Sequence, residues 1–359
     1  MKKKFKNIDL CKCIALLLVL IYHYWVLSGS PPINNSMPGL YTIISLGGEI
    51  GVTMFFVLSG FGIYCLCKNK AQLSWISFMK SRFIKIAPLY YFSIVLVIGL
   101  TSSGAGFLSK SGVTDIITHV LFIHNFGGRF HGSINGALWT MGVIFQYYLV
   151  AKFLYRCMEK NKHITVLTSI VFTIVMKILT YKYFMPAYGL DGTLYFVYGR
   201  QLFTALDNFV LGMYVGSLIY NNDKRISSVK GIFLIIVMLC FLVLWGKSGE
   251  KRGVYVANVS GYLWHSVLAL ILAGMIGIAG FMKEIEHMQF LRFVGINEYG
   301  IYLLHFPILQ NLLGSPFIQQ MNLQGHYLVG SLCFLCISVS IGLVFNQLGQ
   351  TFTDKRKFI

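Results

Sequence analysis

Apolar residues in this chain fill whole runs and do not recur with the 3.6-residue period of a helix half-buried in water. Residues 9–27, DLCKCIALLLVLIYHYWVL, set the pattern, and comparable runs occupy 43–67, 87–108, 138–158, 163–183, 200–220, 231–246, 258–281, 293–313 and 326–348. Crossing about 30 Å of hydrocarbon as a helix takes roughly 17 to 25 predominantly apolar residues. The pattern therefore predicts an all-α fold, a polytopic transmembrane helix bundle of about ten spans. No repeat, low-complexity stretch or linker rich in Pro, Gly or Ser interrupts it, so residues 1–359 are expected to form a single integral membrane domain.

Composition agrees with that reading. The 359 residues are 56% hydrophobic and 12% charged, with a mean hydropathy of +0.68, whereas soluble domains carry about 25% charged residues. Twenty-two of the 30 Lys and Arg fall in alternate connecting segments, from Lys2, Lys3, Lys4 and Lys6 at the start to Lys355, Arg356 and Lys357 at the end. Positive charge concentrates on the cytoplasmic side, so both termini are expected there, which requires an even number of spans. The net charge of +18 is spread over short membrane-proximal segments. It fits anionic membrane lipids as partners and excludes nucleic acid, which calls for a basic stripe or domain. The basic start and apolar core of the first 27 residues resemble a signal peptide, but the small-residue cleavage pattern is weak and an uncleaved first helix is expected.

Eight cysteines are present, none in the expected outer loops, which argues against a secreted disulfide framework. Cys333 and Cys336 have CxxC spacing without nearby His or acidic residues, so packing is expected there and no metal site. The longest outer segment, 101–137, interleaves His119, His124 and His131 with glycines and aromatics. Two readings stay open for it: a cover over a binding site, or an interfacial re-entrant segment without chemistry. On the inner side, Phe78, Arg82 and Lys85 have near-helical spacing ahead of Pro88, which predicts an amphipathic surface helix ending where the third span begins. Arg82 and Lys85 are candidates to hold a phosphorylated cytoplasmic ligand.

An ionisable group inside a span is costly and is a functional hypothesis by default. With the topology above, such groups gather in the outer halves: His23, Glu49, Arg200, Asp207, His265 and His305, with Trp139 and Thr140 starting the fourth span. That common depth predicts a cavity opening outward. Lys12 and His23, eleven residues apart, are almost three whole turns apart on one helix face. Arg200 and Asp207, seven apart, are expected to be nearly co-facial, either paired or with Arg200 turned to an anionic ligand. Gly47, Gly48, Gly51, Gly60 and Gly62 in the second span predict close helix packing.

Five stretches, in order, resemble the type-3 acyltransferase family of integral membrane acyltransferases: NIDLCKCIALLLVLIYHYW, GGEIGVTMFFVLSGFGI, FMKSRFIKIAPLYYF, GALWTMGVIFQYYLV and VGINEYGIYLLHFPIL. The family's first motif is a basic residue, normally Arg, followed after ten intervening residues by a catalytic His; here these are Lys12 and His23. Lys keeps the charge but lacks the planar fork of Arg. Acidic residues that follow the Trp of the fourth-span motif in many members have no counterpart among Gly142 to Phe145. Either Glu49 supplies the carboxylate instead, or the chain belongs to a subfamily that does not use those acids. The resemblance implies O-acylation of sugars or other hydroxyl compounds, typically O-acetylation of a surface glycan. It implies acyl-CoA, acetyl-CoA in particular, as cytoplasmic co-substrate, with no bound cofactor and no metal. Members with an added extracytoplasmic domain exist; none is expected here, so the chain would act alone or with a separate extracytoplasmic partner.

The roles that follow are His23 as general base with Glu49 orienting or charge-stabilising it, Lys12, Arg82 and Lys85 on the donor's phosphates, and Trp139, Arg200, Asp207 and His305 on the acceptor. The residues leave open whether His23 takes a proton from the acceptor or carries the acyl group itself. A secondary transporter or flippase also has about ten helices, but its site is expected near the midplane between inverted repeats, and neither is visible. A membrane glycosyltransferase would need a large charged outer loop, and 101–137 holds only Lys110, Asp115 and Arg129. The expected location is the cell membrane, multi-pass.

Overall fold

The computed structural model describes residues 5–31, 38–100, 110–187, 189, 195–220, 222, 224–252, 259–323 and 325–355. Lys2, Lys3, Lys4, Arg356, Lys357 and residues 101–109, which include the end of the expected third span, lie outside the described residues. Among those described, all regular structure is helical except an isolated bridge between Ile226 and Met282.

The helices are α1 (Lys6–Leu27), α2 (Pro38–Ser45), α3 (Gly47–Asn69), α4 (Trp75–Leu100), α5 (Lys110–Val120), α6 (Trp139–Lys160) and α7 (Lys162–Ile178). A π-helical stretch, Leu179–Phe184, joins α7 to the short α8 (Met185–Ala187). Then come α9 (Tyr195–Tyr198), α10 (Leu206–Tyr220), α11 (Ser228–Arg252), α12 (Val259–Phe281), α13 (Gln289–Ile296), α14 (Glu298–Leu313), α15 (Pro316–Leu323) and α16 (Tyr327–Lys355). Seven described helices are long and apolar enough to cross a membrane: α1, α3, α4, α7 with its continuation, α11, α12 and α16. The pair α14 and α15, bent by 79°, makes an eighth if it is one broken span. Each of the ten expected runs overlaps at least one described helix. However, α6 carries Lys152, Arg156, Glu159 and Lys160 in its second half and α10 has only 15 residues.

Three boundaries differ from expectation. No separate amphipathic helix precedes the third span: α4 runs unbroken through Pro88. Proline removes one backbone donor but is tolerated within membrane helices. The sixth helix begins at Leu206 and not near residue 200. There Thr204 Oγ1 accepts from Gln201 N (2.9 Å) and lies 3.2 Å from Tyr198 O, so side-chain bonds hold a turn in place of helix. The ninth run breaks at Asn297, which Asn346 Nδ2 meets at 2.6 Å, dividing α13 from α14.

The chain threads through two compact units, Met1–Lys12 with Val52–Trp75 and Val143–Gln289, and Cys13–Gly51 with Ile76–Gly142 and Phe290–Ile359. In the first, α3 and α10 touch backbone to backbone: a Cβ on Gly60 would collide with Phe209 O, and one on Gly212 with Val57 O. This is the small-residue contact expected of Gly60; Gly62, by contrast, faces open space. At one end of that contact Lys68 pairs with Glu159 (2.5 Å), which also accepts from Tyr64 Oη at 2.7 Å. Asn7 Nδ2 lies 3.1 to 3.3 Å from the carbonyls of Ala279, Met282 and Lys283, closing the end of α12. In the second unit, Gly47 and Gly51 let the start of α3 meet the α1 backbone at Leu18 and Ala15. Gly342 likewise admits Ile301, joining α16 to α14.

Candidate active site

In the second unit two imidazoles from distant parts of the sequence meet. His23 Nδ1 on α1 stands 3.0 Å from His305 Nε2 on α14, and His305 Nδ1 stands 2.6 Å from Tyr302 O. A carbonyl only accepts, so His305 Nδ1 carries the hydrogen. With both rings neutral, His305 Nε2 is then an acceptor and His23 Nδ1 must donate to it. The remaining nitrogen of His23, Nε2, therefore holds a lone pair, the state a general base or a nucleophile needs.

The rest of the unit fixes this chain of bonds. His305 is fully buried, whereas His23 is half-buried. Phe306 sets its ring edge-on to His23 at 5.4 Å, and Tyr22 lies tilted at the same distance. Phe306 fits because Gly136 has no side chain: a Cβ there would come within 2.7 Å of its ring. Asn135 Nδ2 donates to Leu303 O (2.9 Å), and Thr140 Oγ1 lies 3.0 Å from both Ala137 O and Tyr302 Oη. The helical turn before His305 is thus tied to Asn135, ahead of α6, and to Thr140 at its start. Glu49 is buried in the first turn of α3, where the helix dipole favours a carboxylate.

The segment from α5 to α6 is built on three buried histidines. Asp115 Oδ1 meets His119 Nδ1 at 3.0 Å and accepts from Ser133 Oγ at 2.7 Å. The His119 and His124 rings stack at 3.9 Å, and His131 stacks on Trp139 at 5.3 Å. Burial holds all three below the ordinary histidine range. It pushes His131 down to about 4 and His124 well down, and it outweighs the raising influence of Asp115 on His119. These side chains are therefore neutral around neutral pH.

The two residues of this unit expected on the acceptor are buried. His305, expected to line an acceptor cavity, has no exposed surface and bonds to His23. Trp139 is buried face-on against His131. On α4, Arg82 is half-buried and Lys85 exposed. The other candidates belong to the first unit. Lys12 pairs with Asp9 at 3.3 Å. Arg200 stands in the turns ahead of α10, so its helical alignment with Asp207 does not hold. Lys177 on α7, also buried, acts electrostatically on Asp207. Lys177 lies inside the apolar run 163–183, where a charge is costly and therefore notable. The pairing of His23 with His305, 282 positions apart, has no local signal.

A sequence profile described as an acyltransferase domain matches residues 5–346. The peptidoglycan O-acetyltransferase OatA of Listeria monocytogenes is 24% identical over 388 aligned positions, covering 100% of this chain and 59% of that protein. An O-acetyl transferase of Shigella phage Sf6 is 29% identical over 162 positions, covering 40% of this chain and 43% of that protein. The chain thus spans about three-fifths of the length of the first relative and less than half of the second. No solved structure matches.

Proposed function

This chain belongs to the acyltransferase family, and from that premise we propose that it is a multi-pass cell-membrane O-acyltransferase acting on a surface or exported glycan. The acyl donor is a cytoplasmic acyl-CoA, acetyl-CoA first among them. Ten spans with both termini cytoplasmic, forming one domain over 1–359, is the topology that goes with this reading, alone or with a separate extracytoplasmic partner.

The observation that carries the reading is the hydrogen-bond chain Tyr302 O, His305, His23, which leaves the lone pair on His23 Nε2. In the reaction the acceptor hydroxyl oxygen attacks the thioester carbonyl carbon while His23 Nε2 takes the hydroxyl proton. The C–S bond breaks, the sulfur leaves, and it regains the proton from His23, giving an ester and a free thiol. Base catalysis of this kind contributes about 10²–10⁴-fold. When His23 is cationic it still donates to His305, and Glu49 offsets the charge. The same lone pair serves the variant in which His23 carries the acyl group; acid-stable trapping of labelled acyl on the protein separates the two. Lys12, Arg82 and Lys85 hold the donor phosphates, and Arg200 and Asp207 the acceptor.

The test compares the mass of surface glycans from cells with and without the gene. One acyl increment per modified sugar, present only with the gene, is the expected outcome. Identical spectra in every glycan class, with solute movement across vesicles and no covalent change, would make the chain a transporter.

A further inference from the structure

The first unit contains a buried polar cluster that the chemistry at His23 does not use. Lys177 and Asp207 are each 1% exposed and act on one another electrostatically. Asp207 Oδ1 accepts from Asn208 N at 2.9 Å, and Asp207 N donates to Thr173 Oγ1 at 3.2 Å. Two acceptor oxygens remain: Asp207 Oδ2 and Asn208 Oδ1 are buried with no hydrogen-bond partner among the described residues. Ser266 stands beside the Asp207 carboxylate, yet its Oγ also closes no hydrogen bond.

The backbone around these groups is irregular on both sides. The π-helical stretch Leu179–Phe184 begins two residues after Lys177, and the turns ahead of α10 end at Ala205, where Tyr147 Oη donates to the carbonyl at 2.6 Å. π-Helical turns concentrate at functional sites. Within a membrane, irregular backbone is tolerated where it is buried in protein or lines a cavity.

The chemistry of the unfilled groups defines the occupant. Asp207 Oδ2 and Asn208 Oδ1 need donors, and the Lys177 ammonium that acts on Asp207 can only donate. An anion would leave both oxygens unmet and face the Asp207 charge; a cation would compete with Lys177. Adjacent hydroxyl groups donate and accept at once. We propose that Lys177, Asp207 and Asn208 form a clamp for the vicinal hydroxyls of a sugar, reached when the π-helical turn opens. This rests on the reading of the chain as a glycan O-acyltransferase and adds Lys177 and Asn208 to the residues that would hold the acceptor.

A buried ion pair that only supports the fold can often be replaced by apolar residues of similar size at no loss. The test is the double variant Lys177→Met/Asp207→Leu in the full-length protein, read by glycan mass in cells and by thermal unfolding in detergent. Unfolding at or above the wild-type temperature with glycan acylation below a tenth of wild type is the expected result. Wild-type acylation by the folded double variant would overturn the clamp, and would mean that waters fill the cluster. Should the double variant not fold, Asn208→Leu removes the unpartnered oxygen together with its amide nitrogen and is read the same way. Failure of both to fold would assign the cluster to folding alone and also overturn the clamp. If His23→Ala and wild-type cells carry the same glycans, it is the O-acyltransferase reading that fails. If those two differ while the double variant matches wild type, only the clamp fails.

Discussion

The two units each bury a polar group that an apolar helix would otherwise exclude, but they satisfy it differently. In the second unit every described bond around His305 is closed and directional, from Tyr302 O through both rings to His23. In the first, Asp207 and Asn208 each keep one buried oxygen unpartnered beside a buried ammonium. A closed chain fixes a tautomer and so prepares a proton transfer. An open set of donors and acceptors prepares recognition, because a ligand completes it.

The widest gap between the units should appear on removal of one partner. Asp207→Leu alone leaves the Lys177 charge buried and uncompensated, and should cost about 3–5 kcal/mol of stability, measured as a lowered unfolding midpoint in detergent. A near-wild-type midpoint would show that Lys177 has another counter-charge and would blur the contrast. In the second unit, His305→Phe removes the acceptor for His23 Nδ1 while keeping an aromatic ring. Orienting partners of a working histidine are worth on the order of 10–100-fold in activity. The acyl transfer rate should therefore fall by about that factor with the protein still folded, and an unchanged rate would detach His305 from the chemistry.

Acid should act selectively on the segment between α5 and α6. Burial lowers the pKa of His119, His124 and His131 in the folded state, to about 4 for His131, while the unfolded value is about 6.5. Between those limits the unfolded segment binds more protons than the folded one. The stability these residues contribute is thus complete above about pH 6.5 and is lost as pH falls toward 4. Amide hydrogen exchange across residues 110–138, corrected for intrinsic rates, should accelerate from pH 7.5 to pH 5. Equal protection at both would place a partner on those rings. The smallest effect belongs to Thr140→Val, which deletes the hydroxyl that meets Ala137 O and Tyr302 Oη and should cost about 1 kcal/mol with a modest loss of transfer rate.

Much of this was legible from the residues alone. Whole-run hydropathy located the helices, and the cost of an imidazole in an apolar run marked His23 without any partner in view. Gly47, Gly48, Gly51 and Gly60 signalled close packing, because a missing side chain has few other uses in a membrane helix. What escaped was set by contacts distant in sequence or by local competition. The partnership of His23 with His305 depends on how α1 and α14 pack. Thr204 holds its own turn where hydropathy reads helix, so Arg200 and Asp207 do not share a face. Pro88 reads as a boundary, yet α4 continues through it. Lys177 lies in an apolar run, but the carboxylate it acts on, Asp207, comes from a helix thirty positions further along the chain.

The most direct measurement is the rate of acyl transfer from labelled acetyl-CoA to the modified glycan in membrane vesicles, comparing wild type with correctly inserted His23→Ala. If His23 Nε2 is the base, or the acyl carrier, the rate falls by about 10²–10⁴-fold while the unfolding midpoint changes little. Transfer by His23→Ala at the wild-type rate would contradict the account.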